Sequence, residues 1–145
     1  MIKNEFLDKI FLEKCIKALE MAYQLYKYSD IDSVEKDIYR SACIKEFEII
    51  LEQSSKTIKK VLKNFVVSNS EIDRLYFKDV FRKAAQFDLL DLEETQRWLE
   101  YRDNRNLTAH EYGSGFAENI IVMLEQFIID AKKIVQLIET HNNAN

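Results

Sequence analysis

The chain has 145 residues, a length that suits one domain with a buried core. Hydrophobic residues make up 47% and charged ones 32%. The formal net charge of −4 comes from intermixed acids and bases, which excludes a broad electrostatic surface for DNA but leaves room for a local basic site. With no proline and two glycines the chain lacks the usual punctuation of turns and strands, so long helices joined by short connections are expected.

The opening segment, MIKNEFLDKIFLEK, carries charges throughout and has no signal-peptide core. No apolar run approaches transmembrane length, so a cytoplasmic protein is expected, with no membrane association. Leu7, Phe11, Cys15, Ala18, Ala22 and Leu25 recur at spacings of three and four and predict a helix over roughly residues 4–28. A second row, Leu12, Ile16, Leu19, Tyr23 and Tyr26, flanks the first and makes the apolar surface wider than one core-facing stripe requires. A homodimer would cover the extra width; a neighbouring helix within the monomer is the other way to cover it.

Asp32-Ser-Val-Glu35 resembles a capping box and opens a longer helix to about Phe65, with Ile44, Phe47, Leu51, Ser54, Ile58, Val61 and Phe65 as its stripe. Cys15 and Cys43 sit in apolar helical stretches without metal-ligand spacing and read as reduced core thiols. Ser70 is placed to cap a third helix carrying Ile72, Leu75, Val80, Ala84 and Phe87. Asp91-Leu-Glu-Glu94 opens a fourth, through Trp98 to about Asn106. Ile120, Leu124, Phe127, Ala131, Ile134 and Ile138 mark the last, which fades into a polar tail over residues 141–145. The expected architecture is all-α: one domain over residues 1–140, an up-and-down bundle of four to five helices, with the two longest antiparallel.

The fourth helix carries the chemistry. Leu92, Thr95 and Leu99 share a face, and the same spacing continues to Arg102, Asn106 and His110, with Arg105 on the neighbouring edge. A stripe that changes from leucine to arginine, asparagine and histidine would cost several kcal/mol to bury unpaired, so a cleft or subunit interface is expected there. Histidine exchanges a proton near neutral pH, and arginine offers a planar fork matched to phosphate oxygens. Asparagine can orient the imidazole, and Tyr112 can stack or donate. Metal-ligand spacing, a Ser or Cys nucleophile arrangement and a Gly-rich phosphate loop are all absent from the sequence, and no cofactor is expected. What remains is metal-independent handling of a phosphodiester or nucleotide, with His110 as general base or acid and Arg105 stabilising the phosphate. The same residues also suit a capping or surface role, and Tyr112 a packing role.

The stretch RNLTAHEY, residues 105–112, matches Arg-x4-His-x-Tyr with a polar residue after the arginine. It resembles the signature of the HEPN superfamily, and its tyrosine resembles the HepT-like branch. RSACIKEFEIILEQSSKTIKKVL is similar to that family's second helix, with Arg40, Ile44, Phe47 and Glu48 in its pattern. FKDVFRKAAQFDLLD and WLEYRDNRNLTAHEY are similar to its third and fourth helices, and the resemblance spans roughly residues 5–140.

The resemblance implies a dimerising helical bundle acting in a two-component system with a minimal nucleotidyltransferase. It implies either of two roles, with RNA or a nucleotide as ligand. One is a metal-independent ribonuclease toxin whose composite site forms from Arg105 and His110 of both subunits, with Asn106 and Arg102 in support. In that case the partner transferase would neutralise it by attaching AMP to Tyr112. The other is a non-catalytic subunit that presents substrate or nucleotide to the transferase. Gly113 and Gly115 would let the chain leave the helix end.

Overall fold

The computed structural model describes residues 6–106 and 114–144. Over these residues the chain forms α1 (Ile10–Tyr28), α2 (Val34–Leu62), α3 (Asn69–Asp73), α4 (Phe77–Gln86), α5 (Leu92–Asn106) and α6 (Ser114–Asn143). No helix among them is long and apolar enough to cross a membrane.

In α1 the second apolar row turns inward. Leu12, Ile16, Leu19 and Tyr26 are buried, joined by Cys15 and Ala22 of the first row. Phe11, Ala18 and Leu25 of the first row stay exposed. Most of the width that suggested a partner is therefore covered within the chain, by α2 and α6. Ser33, one residue later than the capping pattern suggested, caps α2: its hydroxyl accepts a bond from the Lys36 N–H at 3.0 Å. Asp32 takes φ 65°, a left-handed turn conformation that Asp tolerates better than most residues, and so brings Ser33 to the cap. The α2 stripe is buried through Phe47, Leu51, Ser54, Ile58 and Val61.

The segment expected as one helix over 70–87 divides into α3 and α4. Tyr76 is extended between them (ψ 164°), and no glycine or proline marks the break. Packing makes it: Ile72 is fully buried on one side of the break, and Val80, Phe81 and Ala84 are fully buried on the other.

Contacts along the helices fix their directions. α1 and α6 are antiparallel, with Lys9 on Glu139 near one end and Tyr26 on Glu118 near the other. Glu94 and Asp130 match Lys133 and Arg97 across an antiparallel α5 and α6. α2 and α5 are antiparallel through Glu52–Arg102 and Glu48–Arg105. Thus α1, α2, α5 and α6 alternate up and down, with α3 and α4 inserted between α2 and α5. The two helices expected to be longest, α1 and α2, are antiparallel, whereas the two longest observed, α2 and α6, run parallel, since Arg40 lies beside Glu118 and Asn64 beside His141. With α5 between them in the alternation, they must point the same way.

The expected tail is also partly structured. α6 runs to Asn143 and His141 is buried. Asn142 donates to the Leu7 carbonyl and accepts from the Leu7 N–H, both at 2.9 Å, tying the N-terminal segment down with the polar residues that made this stretch look loose. Gly115 lies in the first turn of α6 instead of a connecting loop.

The core centres on aromatic rings. Phe81 stacks on Trp98 at 4.8 Å, and Tyr101 and Phe47 meet Phe127 at 4.9 and 4.6 Å. Among these rings sits one buried carboxylate, Asp130, fully excluded from solvent. It accepts two bonds from Arg97, each 2.8 Å, one from the Tyr101 hydroxyl at 2.6 Å and one from Gln126 at 3.2 Å. Removing it strands the guanidinium and the phenol. Because Arg97 is partly exposed, Asp130→Ala is expected to cost about 2–4 kcal/mol, read from urea unfolding, with Asp130→Asn losing less because an acceptor remains.

Candidate phosphate-binding site

α5 opens at Asp91 as expected, and does so with a capping box. Asp91 accepts the Glu94 N–H at 2.7 Å, a bond that holds the Asp91 carboxyl below its usual pKa. Its inward face is only partly the predicted one, since Thr95 is buried and Leu99 packs against the core beside residues the stripe did not include. Leu92 is 82% exposed, whereas Thr95, Trp98 and Tyr101 are buried. Arg102 and Arg105 follow Trp98 at i+4 and i+7, so they continue the edge of the true core face and turn toward α2.

α2 meets them with two carboxylates one turn apart. Glu52 accepts from Arg102 Nη1 at 2.8 Å, and Glu48 lies 3.7 Å from Arg105 Nη2. The two arginines are held unequally. Arg102 is gripped from both sides, with its guanidinium 4.9 Å from the Phe77 ring centre. Among the described residues Arg105 has one, longer contact, and its side chain is 37% exposed. An open groove of about 450 Å³ runs along α2 beside Glu48, lined by Ser41, Ile44, Lys45 and Ile49. Asn106 is the exposed last residue of α5, while His110 and Tyr112 lie outside the described residues.

Arg40, the basic residue of the second-helix pattern, is paired elsewhere. It bonds Asp37 at 2.8 Å and lies 3.7 Å from Glu118 in α6. The sequence reading named Glu48 only as part of a pattern and missed Glu52 and Phe77. The available signal was spacing: Glu48 and Glu52 at i,i+4 can face Arg105 and Arg102 at i,i+3 on an antiparallel neighbour.

A bundle of four alternating long helices, with a two-arginine edge at the end of the third and Asn-x3-His-x-Tyr running on in the sequence from Asn106, has the fold of a HEPN-type domain. The chain belongs to the family described as nucleotidyltransferase substrate binding protein like, which matches residues 9–140. A Haemophilus influenzae protein named probable ribonuclease HepT is 28% identical over 110 residues, 76% of this chain and 74% of that one. A solved Haemophilus influenzae structure, described as revealing the fold of a substrate binding domain of a nucleotidyltransferase, aligns with TM-score 0.76 at 24% identity. That alignment covers 91% of this chain and 99% of the other. The tri-AMPylated Shewanella oneidensis HEPN toxin, solved in complex with an MNT antitoxin, shares the fold with TM-score 0.64 at 13% identity, over 92% and 99% of the two chains.

Tyr101, the motif's other nearby tyrosine, is 3% exposed, and its hydroxyl is committed to Asp130. Burial first, and then the bond to Asp130, raise its pKa well above the ordinary phenol value. A raised pKa means the neutral phenol is favoured by folding, so this contribution is intact below about pH 10 and is lost as pH rises further. The expected outcome is a fall in the urea midpoint above about pH 10 that is smaller in Tyr101→Phe, measured as the difference between the two pH profiles.

Proposed function

We propose that this chain is the HEPN subunit of a two-component system with a minimal nucleotidyltransferase, and that it is a metal-independent ribonuclease. The observation that carries this reading is the state of Arg105. It is a partly exposed guanidinium whose ion pair among the described residues is loose, at the end of α5 and five residues before His110 in the sequence. Such a fork is free to take a phosphate in a way the doubly gripped Arg102 is not.

In the proposed reaction His110 takes the proton of a ribose 2′-hydroxyl, and the 2′-oxygen attacks the adjacent phosphorus. The P–O5′ bond breaks, leaving a 2′,3′-cyclic phosphate and a 5′-hydroxyl that receives a proton. Arg105 stabilises the charge on the non-bridging oxygens, Asn106 orients the imidazole, and Arg102 supports the anionic surroundings. The likeness to the Haemophilus influenzae protein named as a ribonuclease supports this reading. The family's own description supports a second one, in which the same residues bind a nucleotide phosphate for the transferase.

A homodimer, with Arg105 and His110 of both copies around one cleft, belongs to the same proposal. Its support is an exposed apolar strip on the α1–α2 hairpin, comprising Met21, Leu25, Tyr28, Ile31, Val34 and Ile38. It is narrower than the sequence suggested, yet it has no cover from the described part of the chain.

Incubation of the purified protein with total RNA should give fragments ending in cyclic phosphate, in the presence of EDTA. Arg105→Ala and His110→Ala should each lower the rate about 10²- to 10⁴-fold while leaving the circular dichroism spectrum unchanged. Intact RNA alongside measurable nucleotide binding would replace this reading with the substrate-binding one.

The transferase partner is proposed to neutralise the protein by adding AMP to Tyr112. An adenylate there would set a phosphate within the region of Arg105 and occupy the place of substrate phosphate. Co-expression with an active partner should therefore add AMP mass to the intact protein, and Tyr112→Phe should abolish the addition. The burial of Tyr101 removes it as an alternative acceptor in the folded chain.

A further inference from the structure

The ion pair that holds Arg105 raises a question that the ribonuclease reading leaves open, namely what an arriving phosphate must displace. Glu48 is 40% exposed and 3.7 Å from Arg105 Nη2, too far for a hydrogen bond but close enough to draw the fork toward α2. Glu52 makes the tighter contact one turn away, and Arg102 is further held against Phe77. The two pairs therefore divide the work. Glu52 and Phe77 fix the edge of α5, while Glu48 acts on the guanidinium that remains accessible. A carboxylate and a phosphodiester are both anions suited to the same planar fork.

We propose that Glu48 is a positioning residue for Arg105, whose carboxylate sets the direction of the guanidinium and competes with substrate phosphate for it. This rests on the reading of Arg105 as the phosphate-binding group. Its consequence is a split between ground-state binding and turnover. With Glu48 neutral, the phosphate no longer has to displace a carboxylate, so ground-state affinity rises. The fork is also no longer held in the direction that follows the charge developing on the phosphorane, so turnover falls. A residue that only supported the fold would not tighten binding while slowing the reaction.

The test compares the unsubstituted protein with Glu48→Gln and Glu48→Asp, using a fluorescent 2′-deoxy oligonucleotide, which lacks the nucleophilic hydroxyl, for affinity and RNA for kcat. Exposed ion pairs are worth little, so Glu48→Gln should bind the deoxy oligonucleotide only about two- to fivefold more tightly. Loss of orientation should lower its kcat about tenfold to a hundredfold, at an unchanged melting temperature. Glu48→Asp, which keeps the charge, should bring affinity back toward the starting value. Asp73→Asn, which neutralises a distant ion pair with Lys63, should alter neither quantity.

Affinity of Glu48→Gln equal to or weaker than that of the unsubstituted protein overturns the proposal, whatever its kcat. A fall in kcat that follows a fall in melting temperature, without tighter binding, does the same. If the unsubstituted protein cleaves no RNA, the ribonuclease reading fails and the affinity measurement still decides: tighter binding upholds competition by Glu48, and unchanged binding ends it.

Discussion

The buried carboxylate of Asp130 determines how α5 sits in the bundle, and the site depends on how α5 sits. α5 buries Thr95, Trp98 and Tyr101 in the core with Leu99 partly packed beside them, a thin apolar face for a helix of 15 residues. Hydrophobic burial alone is non-directional and would leave its rotation loosely specified. Asp130 adds direction. By accepting Arg97 through two bonds and Tyr101 through a third, it fixes two positions one turn apart on α5 against one point of α6. A bidentate pair of this kind specifies orientation as well as distance. Arg102 and Arg105 then face α2 as a consequence.

The same geometry explains which parts of the fold were readable from the sequence. Helix existence was legible because the periodicity in α1, α2 and α6 is long and the punctuation sparse. The α5 cap was legible because Asp91 and Glu94 stand at the right spacing and satisfy each other's backbone groups. The core face of α5 was not. Leucine at positions 92 and 99 suggested one stripe, whereas Trp98, Tyr101 and the polar pair Arg97 and Asp130 define another. A periodicity that counts only apolar residues cannot register a face built partly from a buried salt bridge. The α3–α4 break escaped for a similar reason, since long-range packing places Ile72 and Val80 where one straight helix was expected.

The site was legible in part. Arg102, Arg105 and Asn106 fall in the last turns of α5, where the helix spacing put them. The carboxylates opposite them were invisible as partners, because Glu48 and Glu52 read as the solvent face of an amphipathic helix until α5 is known to pack antiparallel there. Composition had excluded a broad basic surface. The structure adds that the cations present at the site are largely neutralised by neighbours, which suits recognition of one phosphate at a defined position better than long-range attraction of a polyanion.

Placing arginines at the C-terminal end of α5 also serves folding, and the two roles pull on the same residues. The last turn of a helix exposes carbonyl groups and a partial negative charge, which favours cations and opposes a bound anion. A phosphate approaching this end of α5 is thus attracted only as far as the arginine charges exceed both the helix terminus and the α2 carboxylates. Arg102, paired at 2.8 Å and stacked on Phe77, has most of its charge already committed to holding α5 on α2 and α4. Arg105 keeps more of its charge in reserve, because its carboxylate stands farther off and its side chain remains partly in water. An added anion would therefore displace the partner of Arg105 at lower cost than that of Arg102.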